Sequence, residues 1–224
     1  MKRLIPLLCL ALFPPWAAAA ERHRSWGDVD HWAGVFDDPA RDEWQMPITV
    51  LDFLGVEPGE VVADLGAGTG YFTGPFSAQV GETGKIYAVD IEQAMLDHIM
   101  AREDVNTDWV VPILAKKNDP KLPAGEVDLV LVVNTWHHIS KRDKYVEKIH
   151  AGLSPEGRVA IIDFRKGELP VGPPPEQKLS RAEVVEAFES ASWRLVAESV
   201  ALPYQYLLVF RPPAQPDTRK FVSP

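Results

Sequence analysis

Cysteine is nearly missing from this chain: of its 224 residues only Cys9 carries a thiol. Cys9 lies inside an apolar leader, so loss of that leader leaves no disulfide, no thiolate-ligated zinc and no cysteine nucleophile. Basic residues are also few, 23 Lys and Arg against 32 Asp and Glu, for a formal charge of −9. Removing Lys2 and Arg3 with the leader takes the balance to 21 against 32, or −11. Non-specific nucleic-acid binding needs a basic footprint, so no nucleic-acid partner is expected. Long hydrophobic runs are confined to residues 4–16, which Pro6, Pro14 and Pro15 interrupt. That run is shorter than the ~20 residues of a stable membrane span. With Lys2-Arg3 before it and Ala17 to Ala20 behind it, it predicts a signal peptide over 1–20, cleaved after Ala20, and a periplasmic or secreted product. Leu8 is too large to precede a lipidated cysteine.

Internal repeats and Gly/Ser-rich linkers are absent as well, and 46% hydrophobic with 25% charged residues suits one globular core. The domain is read as 21–211, with a leading segment over 26–54 and a proline-rich polar tail over 212–224 that suits a mobile end. Apolar runs at 60–65, 85–89, 108–111, 127–133 and 158–163 are nearly continuous rather than alternating, as in strands buried on both faces of a parallel sheet. Between them, 72–80, 93–101 and 143–153 carry helical spacing. Ser180 with Glu183 forms a capping box for a helix reaching about residue 191. Two further strands, 194–201 and 205–210, are joined so closely that they predict an antiparallel edge hairpin. The pattern is α/β: a doubly wound, mostly parallel, seven-stranded sheet.

The strongest chemical signal is Asp64-Leu65-Gly66-Ala67-Gly68-Thr69-Gly70-Tyr71, a strand running into three glycines at alternate positions. Such a turn lets a ligand approach the backbone, with a helix N-terminus behind it. A dinucleotide fingerprint would put its third glycine where Tyr71 stands. Asp64, just before the turn, would repel a pyrophosphate and suits a ligand with a cationic amino-acid end. Asp90 closes the second strand where an α/β fold sets an acid against ribose hydroxyls. The bland alternative is that Asp64 and Asp90 only cap turns.

These segments resemble the class I S-adenosylmethionine-dependent methyltransferases. Asp64 to Gly70 matches that superfamily's first motif and Asp90 its second. Residues 127–138 are similar to its fourth-strand segment, and 153–158 to the turn into its fifth strand. Within it, the small ubiquinone/menaquinone-biosynthesis-like group is most similar. The resemblance implies S-adenosylmethionine as cofactor, with Gly66, Ala67 and Gly68 lining its methionine end and Asp64 near its ammonium. It further implies Asp90 at the ribose, Ile91 against adenine and Asn134 beneath the sulfonium. Residues 113–119 offer no match for the acid or amide that often meets the adenine.

Displacement at a sulfonium asks the protein mainly to align and desolvate the partners, and a base is required only when the acceptor carries a proton. His137 and His138, directly after the fourth strand, are the candidates for that base, or else for capping and packing. Asp163 and Arg165-Lys166 face the same sheet edge, either toward substrate or as solvated loop charges. Trp26, Trp32, Phe36 and Trp44, interleaved with acids, suit a lid over the cofactor or packing on the sheet, with Trp44-Gln45 placed to cover the methionine end. His23 and His31 with nearby aspartates lack metal-ligand spacing. The expected function is an exported methyltransferase acting on a small or apolar acceptor. The alternatives are an exported binding module without turnover and, last, an NAD-dependent oxidoreductase.

Overall fold

The computed structural model describes residues 25–213; the leader and most of the proline-rich tail lie outside that range. Seven strands form one sheet in the order β3-β2-β1-β4-β5-β7-β6, from β1 (Val61–Leu65), β2 (Lys85–Asp90), β3 (Val110–Leu114), β4 (Val127–Val133), β5 (Leu153–Phe164), β6 (Arg194–Ser199) and β7 (Gln205–Arg211). The first five pair in parallel. β7 runs antiparallel between β5 and β6. Strand order reverses beside β1, where α/β folds open a crevice at the carboxyl ends of their strands.

Continuous apolar strands are needed because helices cover both faces. On one face α3 (Pro47–Leu54), α4 (Thr73–Val80) and α5 (Gln93–Ala101) pack Val50, Phe76 and Ile99 against Val62, Leu131 and Ile162. On the other, α6 (Arg142–Gly152) and α7 (Arg181–Glu189) pack Tyr145, Ile149 and Phe188 against Ala63, Val130 and Phe210. Phe188 stacks on Phe210 at 4.1 Å between ring centroids. The capping box of α7 is formed, with Ser180 and Glu183 bonding each other's backbone. Two short leading helices, α1 (Val29–Phe36) and α2 (Asp42–Gln45), lie over the carboxyl edge of the sheet.

Two strand expectations need correction. The third strand begins at Val110, because Asn106 caps a 3-10 turn through its side chain and draws Asp108 and Trp109 into it. It is also an edge strand, leaving Val111 40% and Leu114 50% exposed, so its continuous apolar run does not mean burial on both faces. The fifth strand starts earlier than residue 158. Leu153 already pairs with Val127, and the register then shifts before Arg158 meets Leu129. Among the described residues no helix is long and apolar enough to cross a membrane.

Candidate active site

β1 ends in the glycine turn, whose geometry explains each glycine. Gly66, Gly68 and Gly70 have φ of +81°, +55° and +87°, where side chains strain the backbone. A Cβ on Gly66 would fall 2.3 Å from Thr135 Oγ1, and one on Gly70 2.9 Å from Ile99 of α5. Gly70 is therefore a packing glycine, whereas a Cβ on Gly68 would meet only the ring of Phe36. The Gly66 and Ala67 N–H groups donate to the Val89 carbonyl at 2.8 and 3.1 Å, tying the turn to β2.

Two carboxylates stand at this edge. Asp90 accepts from the Gly68 N–H at 2.9 Å through Oδ2 and from the Glu92 N–H at 3.0 Å through Oδ1. It is half-buried, and desolvation raises its pKa against those backbone donors. Ile91 beside it is 41% exposed, an apolar side chain left in the open at the cleft. Asp64 is buried and accepts from Thr73 Oγ1 at 2.7 Å. Burial raises its pKa to about 6; Thr73 and the more distant Arg41 pull it down, and Asp90 pushes it up. Thr73, in the first turn of α4, had no signal in the sequence to mark it.

Asn134, after β4, is held at φ +52° in a closed amide network. Its Nδ2 donates to Gln45 Oε1 at 3.1 Å and its Oδ1 accepts from Gln205 Nε2 at 2.6 Å, while Gln45 Nε2 donates to Gln205 Oε1 at 2.8 Å. Both glutamines are fully buried, so burial is offset by mutual satisfaction. Gln205 was not singled out from the sequence, because only the fold brings it to Gln45.

The leading segment covers the turn. Asp37 accepts from Thr69 Oγ1 at 2.7 Å and pairs with Arg102 at 3.2 Å, and the Tyr71 hydroxyl donates to Asp42. Trp32 stacks between Trp26 and Phe36 at 4.5 and 5.1 Å, and Trp44 lies 5.7 Å from Phe164. Trp26 and Trp32 therefore pack on each other and on Phe36, with His138 against Trp26, while Trp44 packs on the last residue of β5.

His137 and His138 sit in the 3-10 turn after β4 and differ sharply. His137 Nδ1 lies 2.9 Å from both oxygens of Asp163, whose carboxylate also accepts the His137 and Phe164 N–H groups at 3.2 and 2.8 Å. Asp163 is buried in β5 rather than a solvated loop charge, and its carboxylate orients the His137 ring by accepting from Nδ1. Arg142 donates to the Trp136 and His137 carbonyls at 3.2 Å each and holds the turn. His138 lies 4.0 Å from the His137 ring and 5.6 Å from Trp26. His138 is exposed, yet desolvation against its neighbours, then His137, lowers its pKa to about 4. Arg165 and Lys166 do not face the site: they bind the Leu202 and Pro203 carbonyls and Glu183.

Residues 62–157 match a family described as "Methyltransferase domain". A SAM-dependent methyltransferase from Aquifex aeolicus is 30% identical and superposes with a TM-score of 0.75 over 84% of this chain and 98% of its own. The chain belongs to the S-adenosylmethionine-dependent methyltransferases. The Ubiquinone/menaquinone biosynthesis C-methyltransferase UbiE of Escherichia coli O1:K1 is 29% identical over 164 residues, 68% of this chain. The chain spans 63% of the length of that curated relative. A type 11 methyltransferase from Sulfolobus solfataricus, 23% identical with a TM-score of 0.58 over 72% of this chain and 89% of its own, shares the fold.

The methyltransferase's residues fit S-adenosylmethionine. A Cβ would close the backbone approach at Gly66, and a half-buried acid, Asp90, stands beside an exposed apolar Ile91. Asp90 accepts from backbone donors at both oxygens and would offer its remaining lone pairs to ribose hydroxyls. Gly66, Ala67 and Gly68 would line the methionine end, and Asp64 would meet the ammonium. When bound, the cofactor supplies an activated methyl group. Asn134 is committed to the amide network, so a role beneath the sulfonium would pass through its backbone or a rearranged side chain.

Proposed function

We propose that this methyltransferase is exported and methylates a small, apolar acceptor whose reacting atom carries a proton. The observation that carries the acceptor chemistry is the His137–Asp163 pair, a buried carboxylate orienting an imidazole at the same sheet edge as Asp64 and Asp90. With the methyl group supplied by the bound cofactor, Nε2 of His137 would take the acceptor's proton, and Asp163 would steady the resulting imidazolium. His138 stays neutral and packs Trp26 over this turn. The aromatic lid supports an apolar acceptor, since Trp26, Phe36 and Trp44 offer large surface at small conformational cost. The similarity to a C-methyltransferase of ubiquinone and menaquinone biosynthesis supports an acceptor of this class. Export rests on the leader alone.

The test is calorimetric titration of residues 21–224 with S-adenosylmethionine, S-adenosylhomocysteine and NAD, followed by methyl-labelled transfer to a panel of apolar phenols and quinols. The expected result is micromolar binding of the first two, none of NAD, and transfer lost in His137→Asn with cofactor affinity retained. Transfer undiminished in that variant removes the base. Export is checked by the intact mass of product outside the cytoplasm, expected to begin at Glu21; retention of residues 1–20 overturns it.

A further inference from the structure

Arg41 is a side chain of the leading segment whose chemistry the arrangement above does not absorb; among the described residues of that segment, it and His31 each keep a buried nitrogen without a partner. It ends a 3-10 turn, Pro39–Arg41, that Asp38 opens by accepting from the Ala40 N–H at 2.9 Å. The turn throws the guanidinium inward over the glycine loop, 4.0 Å above the ring of Tyr71, the residue that follows Gly70. Its Nη1 donates to the Phe36 carbonyl at 2.9 Å and its Nη2 to Gln45 Oε1 at 3.3 Å. Its Nε is sealed from solvent and has no partner. A guanidinium carries five N–H donors in a planar fork, and only two are engaged here, both by neutral oxygens.

The charge of Arg41 is likewise unmatched at contact distance. Asp42 is turned to Tyr71, Asp37 to Thr69 and Arg102, and Asp64 to Thr73. Each of these acids acts on Arg41 only across space, and burial pulls its pKa down to about 10 against their attraction. Asp64 is in the mirror condition, a desolvated anion that receives a hydroxyl but no cation. One end of the cleft is thus lined by a desolvated cation on the lid and a desolvated anion on β1, neither neutralising the other by contact. Arg41 is half-buried and Asp64 buried, and charges desolvated to that degree are stabilised when a partner of opposite sign arrives.

We propose that Arg41 anchors the carboxylate of the cofactor's amino-acid end, opposite Asp64 at the ammonium, so that the methyltransferase selects ligands carrying an intact zwitterion. The inference rests on the cofactor reading of the cleft. A carboxylate accepts two parallel N–H bonds from a guanidinium fork, and such charge-assisted bonds are the strong ones. Because Arg41 belongs to the lid, the contact also couples lid closure to the chemical identity of the ligand.

The experiment compares wild type, Arg41→Met and Arg41→Lys by calorimetry with two probes: S-adenosylhomocysteine, which has the amino-acid end, and 5′-methylthioadenosine, which lacks it. Arg41→Met is expected to bind S-adenosylhomocysteine about 10- to 100-fold more weakly, the loss of one charge-assisted contact. Methylthioadenosine should bind all three proteins within about twofold, and that arm reports an intact cleft. Arg41→Lys, which keeps the charge and loses the fork, should fall between. Equal losses for both probes make Arg41 a structural latch and overturn the proposal, and so does no loss for either. Wild-type protein that binds neither probe overturns the cofactor reading itself; wild type that binds both while the variants match it overturns only the role of Arg41.

Discussion

Asp64 and Gly66 show how much one side chain, or the lack of one, decides at this site. Asp64 titrates near 6 because burial disfavours its charge, and its proposed partner, an ammonium, needs that charge. S-adenosylhomocysteine affinity should therefore fall as pH drops below 6, approaching tenfold per unit, and level off between 6 and 7.5. Asp64→Asn should abolish this dependence, and titrations at pH 5, 6 and 7 read it directly. The sign for folding is opposite. With a folded pKa raised from 3.8 to about 6, the ligand-free protein binds the proton more tightly than the unfolded chain. Stability is fully kept below 3.8 and lost as pH rises through 6. Urea unfolding at pH 7 should show Asp64→Asn more stable than wild type by on the order of 2 kcal/mol, and a less stable variant would refute the shift. Glycine offers a matched pair. Gly66→Ala combines φ +81° with a 2.3 Å approach to Thr135 and should cost ~3 kcal/mol or more. Gly55→Ala, at φ +56° after α3 with open space around it, should cost ~1 kcal/mol. Equal midpoint shifts would mean that the Thr135 contact relaxes freely.

At the scale of elements, the sheet was legible because its signals are local. β4 and α5 fall on the residues that apolar continuity and helical spacing predict, and the capping box marks the start of α7. β3 was misjudged because sequence continuity reports hydrophobicity, whereas exposure depends on whether a neighbour pairs beyond it. Of the candidate site, the glycine turn, Asp64 and Asp90 were legible as one contiguous pattern with a short sequel. The amide network was not, since Gln45 and Gln205 are 160 residues apart and neither has a local signature. Asp163 was visible as a strand end, but its service to His137 is a product of register: Val133 pairs with Ile162 and delivers the turn after β4 to the end of β5. The face covered by α6 and α7 rests heavily on Phe188, which α7 presses onto Phe210, Trp136 and Trp193. Phe188→Ala should cost ~3–5 kcal/mol in chemical unfolding. A loss under ~1 kcal/mol would show that α7 collapses into the space or is docked independently of this ring.

For the whole molecule, the decisive contrast is between a sheet sealed on both faces and a leading segment attached by polar ties and a few aromatic contacts. α1 buries only Trp32, and the segment reaches the body through Asp37 with Thr69 and Arg102, Asp42 with Tyr71, and Gln45 with Gln205 and Asn134. β4 buries six of its seven residues and pairs on both sides. Local opening is governed by buried apolar contacts, so the lid should open at a far smaller free energy than the sheet. That would suit access to the proposed cofactor site, because Phe36 lies over Gly68. A ligand bound under the lid draws the equilibrium toward closure by its preference for the closed form. Hydrogen exchange should therefore show amides of 29–45 exchanging at least ~100-fold faster than those of 127–133 in the free protein. Saturating S-adenosylhomocysteine should slow the lid amides at least ~10-fold and leave β4 little changed at early times. Protection of β4 alone would place the ligand away from the lid, and lid amides as slow as β4 before ligand addition would make the segment part of the rigid core.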